Sequence, residues 1–139
     1  MANTNRRILY LSQPYCGSSH DYAIMKSEFD PDKGLWFDEQ GLYVDLGFLG
    51  IEKDYQIKQV FIPHKRPRRK SKNDPKIEFT EEQKMHNKSV SKIRIRVEHA
   101  IGGLKRYRFL SDRLRCRDAE LYSKVAGVAA GLWNFQLTA

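Results

Sequence analysis

Short apolar runs bounded by turn residues alternate with helical apolar spacing in the first half of the chain. Residues 7–12 contain a short apolar run that predicts a strand, closed by Pro14. A helix is predicted from about Asp21, with Ser18 or Ser19 as its N-cap, and Pro31 bounds it. Residues 42–44 and 60–62 predict two more strands, and residues 50–55 predict a single helical turn between them.

The second half of the chain is dominated by helical periodicity. Thr80 and Gln83 have the spacing of a capping box, which predicts a long helix opening at that point. A last helix is predicted over residues 118–137. The order strand, helix, strand, strand, helix, helix predicts an α/β fold. The predicted buried positions are Val90, Ile93, Val97, Ile101 and Leu104 on the first of these helices, and Leu121, Val125, Val128, Ala129, Leu132 and Phe135 on the second.

Charge is concentrated in the middle of the chain. The 139 residues have a formal net charge of +8, yet residues 58–117 alone hold 19 basic and six acidic side chains, a net of +13. Such a segment favours a polyanionic partner, most simply nucleic acid, over a merely solvated basic face. The longest uncharged apolar stretch, residues 125–133, is far short of a membrane span, and two cysteines provide neither a disulfide framework nor a four-thiolate zinc site.

Two carboxylates lie at positions where they could belong to a functional site. Asp45 ends a predicted strand, and sites in open α/β sheets gather at the carboxyl ends of strands; an Asp before Gly also commonly serves a turn. Glu98 shares a predicted helix face with Arg94 and Lys105. There it could ligate a hard divalent cation while its basic neighbours hold phosphate. The alternative is an ordinary i, i+4 ion pair between Arg94 and Glu98, worth about 0.2–0.5 kcal/mol.

Residues 64–79 predict a basic loop. Apolar periodicity disappears there, and Lys65, Arg66, Arg68 and Arg69 cluster at its start. These side chains could neutralise DNA phosphates without reading bases. A solvated linker is the alternative.

Four blocks, taken in order, carry a resemblance to a known family. They are YCGSSHD at residues 15–21, VDLGFLG at 44–50, IPHK at 62–65 and RIRVEHAIGGLKR at 94–106. Together they resemble the C-terminal part of a DDE transposase catalytic domain, of the bacterial insertion-sequence type related to the Harbinger group. The resemblance implies a ribonuclease-H-like fold, here truncated at the N-terminus so that its first strands are missing. Residues 1–139 would then be a single partial domain, with the basic loop of residues 64–79 inside it.

The resemblance also implies a chemistry. The family holds two Mg²⁺ or Mn²⁺ ions with three carboxylates, for cleavage and strand transfer of transposon-end DNA. By position Asp45 is the second acid and Glu98 the third, so their carboxylates should lie within roughly 4–6 Å of each other. The first Asp is expected to precede this chain, so the chain is expected to be inactive alone. Phosphate contacts are expected from Lys65, Arg66, Arg68, Arg69, Arg94, Arg96, Lys105 and Arg106.

These implications set the expected partners. DNA is the first, with an N-terminal transposase portion or a second copy of the chain as a further partner, and no membrane. The expected location is the bacterial cytoplasm, at the nucleoid when DNA is bound. The alternative function is a non-catalytic nucleic-acid-binding module, or a remnant of a transposase.

Overall fold

The computed structural model describes residues 1–67, 78–112 and 118–138. Its secondary structure is mixed, with helices and two parallel strands, in agreement with the coarse α/β prediction. Two 3₁₀ helices, Pro31–Lys33 and Leu46–Phe48, supplement the regular elements. These elements are α1 (Asp21–Glu28), β1 (Phe37–Tyr43), α2 (Ile51–Asp54), β2 (Ile57–Phe61), α3 (Glu81–Leu104), α4 (Arg108–Ser111) and α5 (Ala119–Gln136).

The chain divides into two compact units. One is continuous and runs from His20 to Arg94; the other combines Met1–Ser19 with Ile95–Ala139. The division falls within α3.

The sheet of the continuous unit consists of β1 and β2, which pair in parallel. The register places Leu42 beside Val60 and Tyr43 beside Phe61, with an irregularity nearer the start of β1. Parallel strands need a crossover connection, and residues 44–56 supply it. Because the crossover begins at the carboxyl end of β1, Asp45 is the second residue after the strand.

A small aromatic core fixes this unit. Phe37, Val44, Ile51 and Tyr55 are buried together. The Phe37 ring lies 5.5 Å from that of Tyr55 and 5.3 Å from that of Phe29, measured between ring centroids. The Tyr55 hydroxyl donates to the Phe29 carbonyl at 2.6 Å, so the polar end of this buried ring is satisfied.

The cap of α1 differs from the predicted one. The helix begins at Asp21 as expected, but His20 is its N-cap, and His20 Nδ1 accepts from the Tyr22 N–H at 3.2 Å. The prediction of Ser18 or Ser19 was wrong because the chain forms a tight turn there, with the Ser19 N–H donating to the Cys16 carbonyl. An imidazole nitrogen thus caps α1 in place of the predicted serine hydroxyl oxygen.

The start of α3 confirms the predicted capping box. The Gln83 N–H donates to Thr80 Oγ1 at 3.3 Å, and Gln83 Oε1 accepts from the Thr80 N–H at 3.1 Å. The helix continues through Gly102 and Gly103 to Leu104, so these glycines do not break it.

Trp133 of α5 organises the discontinuous unit. Its ring is buried, and its indole N–H donates to the Arg6 carbonyl at 2.8 Å. The α3 backbone passes so close to this ring that a Cβ added at Gly103 would lie 2.7 Å from Trp133 Cη2 and closer still to Cε3 and Cζ3. Gly103 therefore has a packing requirement that its neighbour Gly102, with nothing within 4 Å, does not share.

The strand predicted over residues 7–12 is absent; that segment forms only an isolated antiparallel bridge from Ile8 to Ala2. The backbone of Ile8 instead pairs with an amide side chain of α5. The Ile8 N–H donates to Asn134 Oδ1 at 2.8 Å, and Asn134 Nδ2 donates to the Ile8 carbonyl at 2.9 Å. These two bonds reproduce what a neighbouring strand would supply, so a strand-like sequence is satisfied without a sheet.

The predicted apolar face of α5 was also largely wrong. The buried residues of α5 are Ala129, Ala130 and Trp133, and the larger aliphatic and aromatic side chains of the predicted face are mostly exposed. The small side chains of Ala129 and Ala130 and the ring of Trp133 thus form the buried side of this helix. On α3 the same correction applies at Ile101, which is exposed while Ala100 is fully buried. Exposed members of the predicted α5 face are Leu121, Val128, Leu132 and Phe135.

Candidate functional site

Asp45 lies at the carboxyl end of β1, where the sequence predicted it. It is the N-cap of the 3₁₀ helix Leu46–Phe48, and its Oδ1 accepts from the Leu46 N–H at 2.6 Å. Asp45 therefore does stabilise the turn, which was one of the two roles that its sequence position suggested. The side chain is nonetheless 56% exposed, so the carboxylate remains accessible to solvent.

Arg94 of α3 grips the Asp45 carboxylate in a fork. Arg94 Nη2 lies 3.1 Å from Asp45 Oδ2, and Arg94 Nη1 lies 3.4 Å from Asp45 Oδ1. A guanidinium binds a carboxylate well in this geometry because two donors match two acceptors. Arg94, predicted as a phosphate contact, thus already has an anionic partner, and it lies 49 positions away in sequence.

Glu98 lies on α3 within the discontinuous unit, whereas Asp45 belongs to the continuous one. Its side chain is exposed, on the stretch of helix after Arg94. Across residues 1–67, 78–112 and 118–138, no group of three His, Cys, Asp or Glu side chains is arranged to hold a metal ion.

Two adjacent residues of α3 anchor the chain where it leaves β2. Asn87 Oδ1 accepts from the His64 N–H at 2.7 Å, and Asn87 Nδ2 donates to the His64 carbonyl at 3.4 Å. His86 Nε2 bonds the Ile62 carbonyl at 3.1 Å, and the His64 and His86 rings lie 4.8 Å apart. The start of the predicted basic loop is therefore held on α3. The sequence did not predict that any residue anchors the chain after β2. The amide side chain of Asn87 was the signal that could have indicated it.

The basic loop has a further contact between its two ends. The Arg66 guanidinium lies 5.5 Å from the centroid of the Phe79 ring, in a cation–π arrangement. Lys65, beside it, is exposed. Arg68 and Arg69, two of the predicted phosphate contacts, lie outside the described residues.

The remaining predicted phosphate contacts belong to the discontinuous unit. Arg96 Nη1 donates to the Thr4 carbonyl at 3.4 Å, and the Arg106 guanidinium lies 6.0 Å from the Trp133 ring centroid. Both side chains are exposed, as is Lys105. These contacts orient the charges and leave them open to solvent, which suits an electrostatic grip on a polyanion.

Comparison with known proteins decides the family. Residues 1–134 match the DDE superfamily endonuclease family. The chain belongs to that family. It is also 29% identical over 122 residues to the "Probable transposase for insertion sequence element IS702" of Microchaete diplosiphon. That alignment covers 87% of this chain and 39% of the relative, so the DDE chain spans well under half of the relative's length.

No solved structure gives a match to this DDE chain. Within the part of the chain that the structure describes, no helix has the length and apolar character needed to cross a membrane. The resemblance to DDE transposases drawn from the four sequence blocks is confirmed by the family match, which extends over nearly the whole chain.

Proposed function

We propose that this chain is the C-terminal part of a DDE transposase catalytic domain with a ribonuclease-H-like fold, acting on DNA in the bacterial cytoplasm. In this proposal it grips the DNA backbone and contributes Asp45 and Glu98 as two of the carboxylates of a metal-dependent cleavage site. By itself it binds DNA and does not cut it. The family match over residues 1–134 and the transposase relative support the type of activity.

The observation that carries the proposal is the Asp45–Arg94 fork. Asp45 follows a parallel strand at its carboxyl end, where α/β folds place their sites, and it binds a cationic group with both oxygens. A carboxylate in that position is suited to holding positive charge. In this structure the positive charge is supplied by the guanidinium of Arg94.

The same fork decides how Asp45 fits a metal ion. Oδ1 accepts from Arg94 and from the Leu46 N–H, and Oδ2 accepts from Arg94. An ion bound by Asp45 would compete with Arg94 for the same oxygens. Arg94 therefore weakens the binding of Mg²⁺ or Mn²⁺ at Asp45, and the proposal gives the chain alone no cleavage activity.

The DNA grip in the proposal uses the exposed basic side chains. They include Lys65 and Arg66 at the anchored start of the basic loop and Arg96, Lys105 and Arg106 in and after α3. Lysine and arginine bind phosphates without regard to base sequence. We accordingly expect binding that depends strongly on salt and weakly on DNA sequence.

DNA binding is tested by fluorescence anisotropy with two unrelated duplexes across a salt series. Lys65→Ala and Lys105→Ala should each weaken binding severalfold on both duplexes and reduce the slope of log K against log salt by about 0.9. Lys53→Ala is the matched control, since Lys53 is an exposed lysine of α2 outside the proposed grip. Equal effects of all three substitutions would refute the assignment of the grip.

Cleavage is tested by nicking of supercoiled plasmid with Mg²⁺ or Mn²⁺, using Glu98→Gln as the paired variant. We expect no nicking by the wild-type chain under salt conditions where it binds DNA. Nicking that disappears in Glu98→Gln would overturn the inactivity of the chain alone and establish a working carboxylate site.

A non-catalytic nucleic-acid-binding module is the second candidate, and the neutralised Asp45 carboxylate favours it. The two proposals separate when the chain is mixed with an N-terminal portion from a full-length relative. Metal-dependent nicking that requires both Asp45 and Glu98 would support the transposase part. DNA binding without nicking in that mixture would support the binding module.

A further inference from the structure

Residues 3–7 form a tight turn that is closed by four hydrogen bonds. The Arg6 N–H donates to the Asn3 carbonyl at 3.0 Å, and the Asn3 N–H donates to the Arg7 carbonyl at 2.9 Å. Asn3 Oδ1 also accepts from the Asn5 and Arg7 N–H groups, each at 3.0 Å. Because Asn3 takes part in every one of these bonds, the N-terminal turn, as residues 3–7 are called below, has a defined shape.

Two further bonds hold the N-terminal turn on the helices of the discontinuous unit. The Trp133 indole N–H donates to the Arg6 carbonyl, and Arg96 Nη1 donates to the Thr4 carbonyl. The Arg106 guanidinium lies over the same Trp133 ring. Since two residues span at most about 7 Å, both bonded carbonyls belong to one short stretch of backbone. The guanidiniums of Arg96 and Arg106 therefore lie around the N-terminal turn.

The N-terminal turn itself adds two exposed arginines to these. The arginine cluster, as the set is called below, comprises Arg6, Arg7, Arg96 and Arg106. Within residues 1–67, 78–112 and 118–138, no carboxylate forms an ion pair with any member of the cluster. In the same unit, by contrast, Lys124 pairs with Glu120 at 2.7 Å. The positive charge of the cluster is thus not offset by the protein's own acidic side chains.

The backbone of Arg6 indicates that its side chain does not serve the fold. Its φ is 67°, and among the residues that the structure describes no other non-glycine residue has a positive φ. Glycine adopts this left-handed region freely, whereas arginine does so at a cost. The fold uses only the Arg6 N–H and carbonyl, which a glycine would supply equally well. A strained backbone position that carries an exposed charged side chain is typical of a functional residue.

We propose that the arginine cluster binds successive backbone phosphates of DNA. Guanidinium groups without carboxylate partners suit this ligand, because each can donate two parallel hydrogen bonds to phosphate oxygens. One DNA strand carries a phosphate for about every 3.4 Å of helix axis, so a stretch of about 7 Å presents about two phosphates of each strand. The inference rests on the proposed function, in which the ligand is DNA, and it adds Arg6 and Arg7 to the grip.

Fluorescence anisotropy across a salt series, with the duplexes used for the grip, tests Arg6. Arg6→Gly should weaken DNA binding severalfold and reduce the slope of log K against log salt by about 0.9, the contribution of one phosphate. Its urea midpoint should stay close to that of the wild type, because relief of the left-handed backbone offsets the greater freedom of glycine in the unfolded chain. A lowered midpoint with unchanged DNA binding would overturn the proposal, since the side chain would then serve the fold.

Arg7→Gln and a charge-matched control extend the test. Arg7→Gln should also reduce the slope by about 0.9, and its combination with Arg6→Gly should reduce it by about 1.8. Lys124→Gln removes one positive charge from the same unit, at a lysine that Glu120 already neutralises, and should leave the slope unchanged. An equal reduction in Lys124→Gln and Arg6→Gly would overturn the site, because net charge alone would then explain the binding.

Photocrosslinking tests whether DNA lies against the N-terminal turn. The photoreactive residue p-benzoylphenylalanine, placed at the exposed position of Asn5, should crosslink to bound duplex on irradiation. The control replaces Gln56, another exposed amide, which lies just before β2 and thus at the opposite end of that strand from its carboxyl end. Crosslinking from Gln56 and none from Asn5 would overturn the proposal.

The outcomes separate this proposal from the proposed function. If Arg6→Gly and Arg7→Gln bind DNA as the wild type does while Lys105→Ala binds weakly, the arginine cluster is refuted and the rest of the grip stands. A wild-type chain that binds no DNA would refute the proposed function, and the cluster as a DNA site with it. Binding to vesicles of anionic phospholipid that Arg6→Gly weakens, with DNA binding unchanged, would assign the cluster to a lipid surface instead.

Discussion

The contact between Gly103 and Trp133 leads to a sharp prediction about stability. Gly103→Ala would place a Cβ 2.7 Å from Trp133 Cη2 and closer to two other ring carbons, whereas carbon atoms in contact normally lie about 3.5–4.0 Å apart. The ring cannot retreat easily, because it is buried and its indole N–H is bonded to the Arg6 carbonyl. The substitution must therefore displace the ring or the helix.

The expected cost follows from three contributions. Overpacking of this kind costs about 1–3 kcal/mol, and disturbing the indole hydrogen bond adds about 1 kcal/mol. Replacing a helical glycine by alanine returns about 0.5–1 kcal/mol. Gly103→Ala should then destabilise the chain by about 2 kcal/mol. Gly102→Ala receives the helix-propensity gain without the clash, and should stabilise it by about 0.5–1 kcal/mol.

Urea unfolding followed by far-ultraviolet circular dichroism measures the difference. With an m value of about 2 kcal/mol per molar, the midpoints of Gly102→Ala and Gly103→Ala should differ by more than about 1 M. In a Trp133→Leu background the penalty of Gly103→Ala should largely disappear, because the two substitutions act on one contact. A Gly103→Ala midpoint equal to that of Gly102→Ala would refute the packing argument.

Three further outcomes are expected. Arg94→Gln releases the Asp45 carboxylate, so Mn²⁺ affinity followed by electron paramagnetic resonance should increase severalfold, and adding Asp45→Asn should remove the increase. Burial and the hydrogen bond to Asp54 raise the pKa of Tyr22, so its contribution to stability is complete below about pH 10 and falls as the pH rises toward the raised pKa. Tyr22→Phe should flatten the alkaline fall in urea midpoint, and an unchanged slope would contradict this. Asn134→Ala removes both bonds to the N-terminal segment and should cost about 1–3 kcal/mol in the same unfolding assay, a loss that Asn134→Asp should share in part because it retains only the acceptor.

Sequence reasoning succeeded where the determining contacts are local. The capping box that opens α3 depends on residues three positions apart, and the single turn of α2 depends on its own few residues. Asp45 was also placed correctly, since the end of an apolar strand run is visible in the sequence.

Prediction from the sequence failed where a side chain distant in sequence bonds the backbone. It also failed where small residues, and not the larger apolar ones, are buried. The strand-like residues around Ile8 are paired by Asn134, a residue 126 positions away, and nothing local announces that contact. On α5 the larger apolar residues were predicted to be buried, yet Ala129, Ala130 and Trp133 are the buried ones, and the contact of Trp133 with Gly103 comes from a residue 30 positions away.

The contact between Asp45 and Arg94 was likewise not predictable from the sequence. Helical spacing offers Glu98 as the acidic partner of Arg94, and this was the ion pair that the sequence suggested for it. The structure gives Arg94 a carboxylate beyond the helix, on the loop after β1. Only the fold can bring positions 45 and 94 together, so the competition between a guanidinium and a metal for Asp45 could not be foreseen from the sequence.

The division of the chain also sets the order in which its parts can be completed during synthesis. The continuous unit has all its residues once Arg94 has been made, whereas residues 1–19 wait for Trp133 and Asn134. At translation rates of about 5–20 residues per second, residues 20–134 take about 6–23 s to make. Throughout that interval the backbone of Ile8 and the carbonyl of Arg6 lack the Asn134 and Trp133 side chains that bond them in the folded chain, which leaves the nascent N-terminal segment open to misassociation on the ribosome.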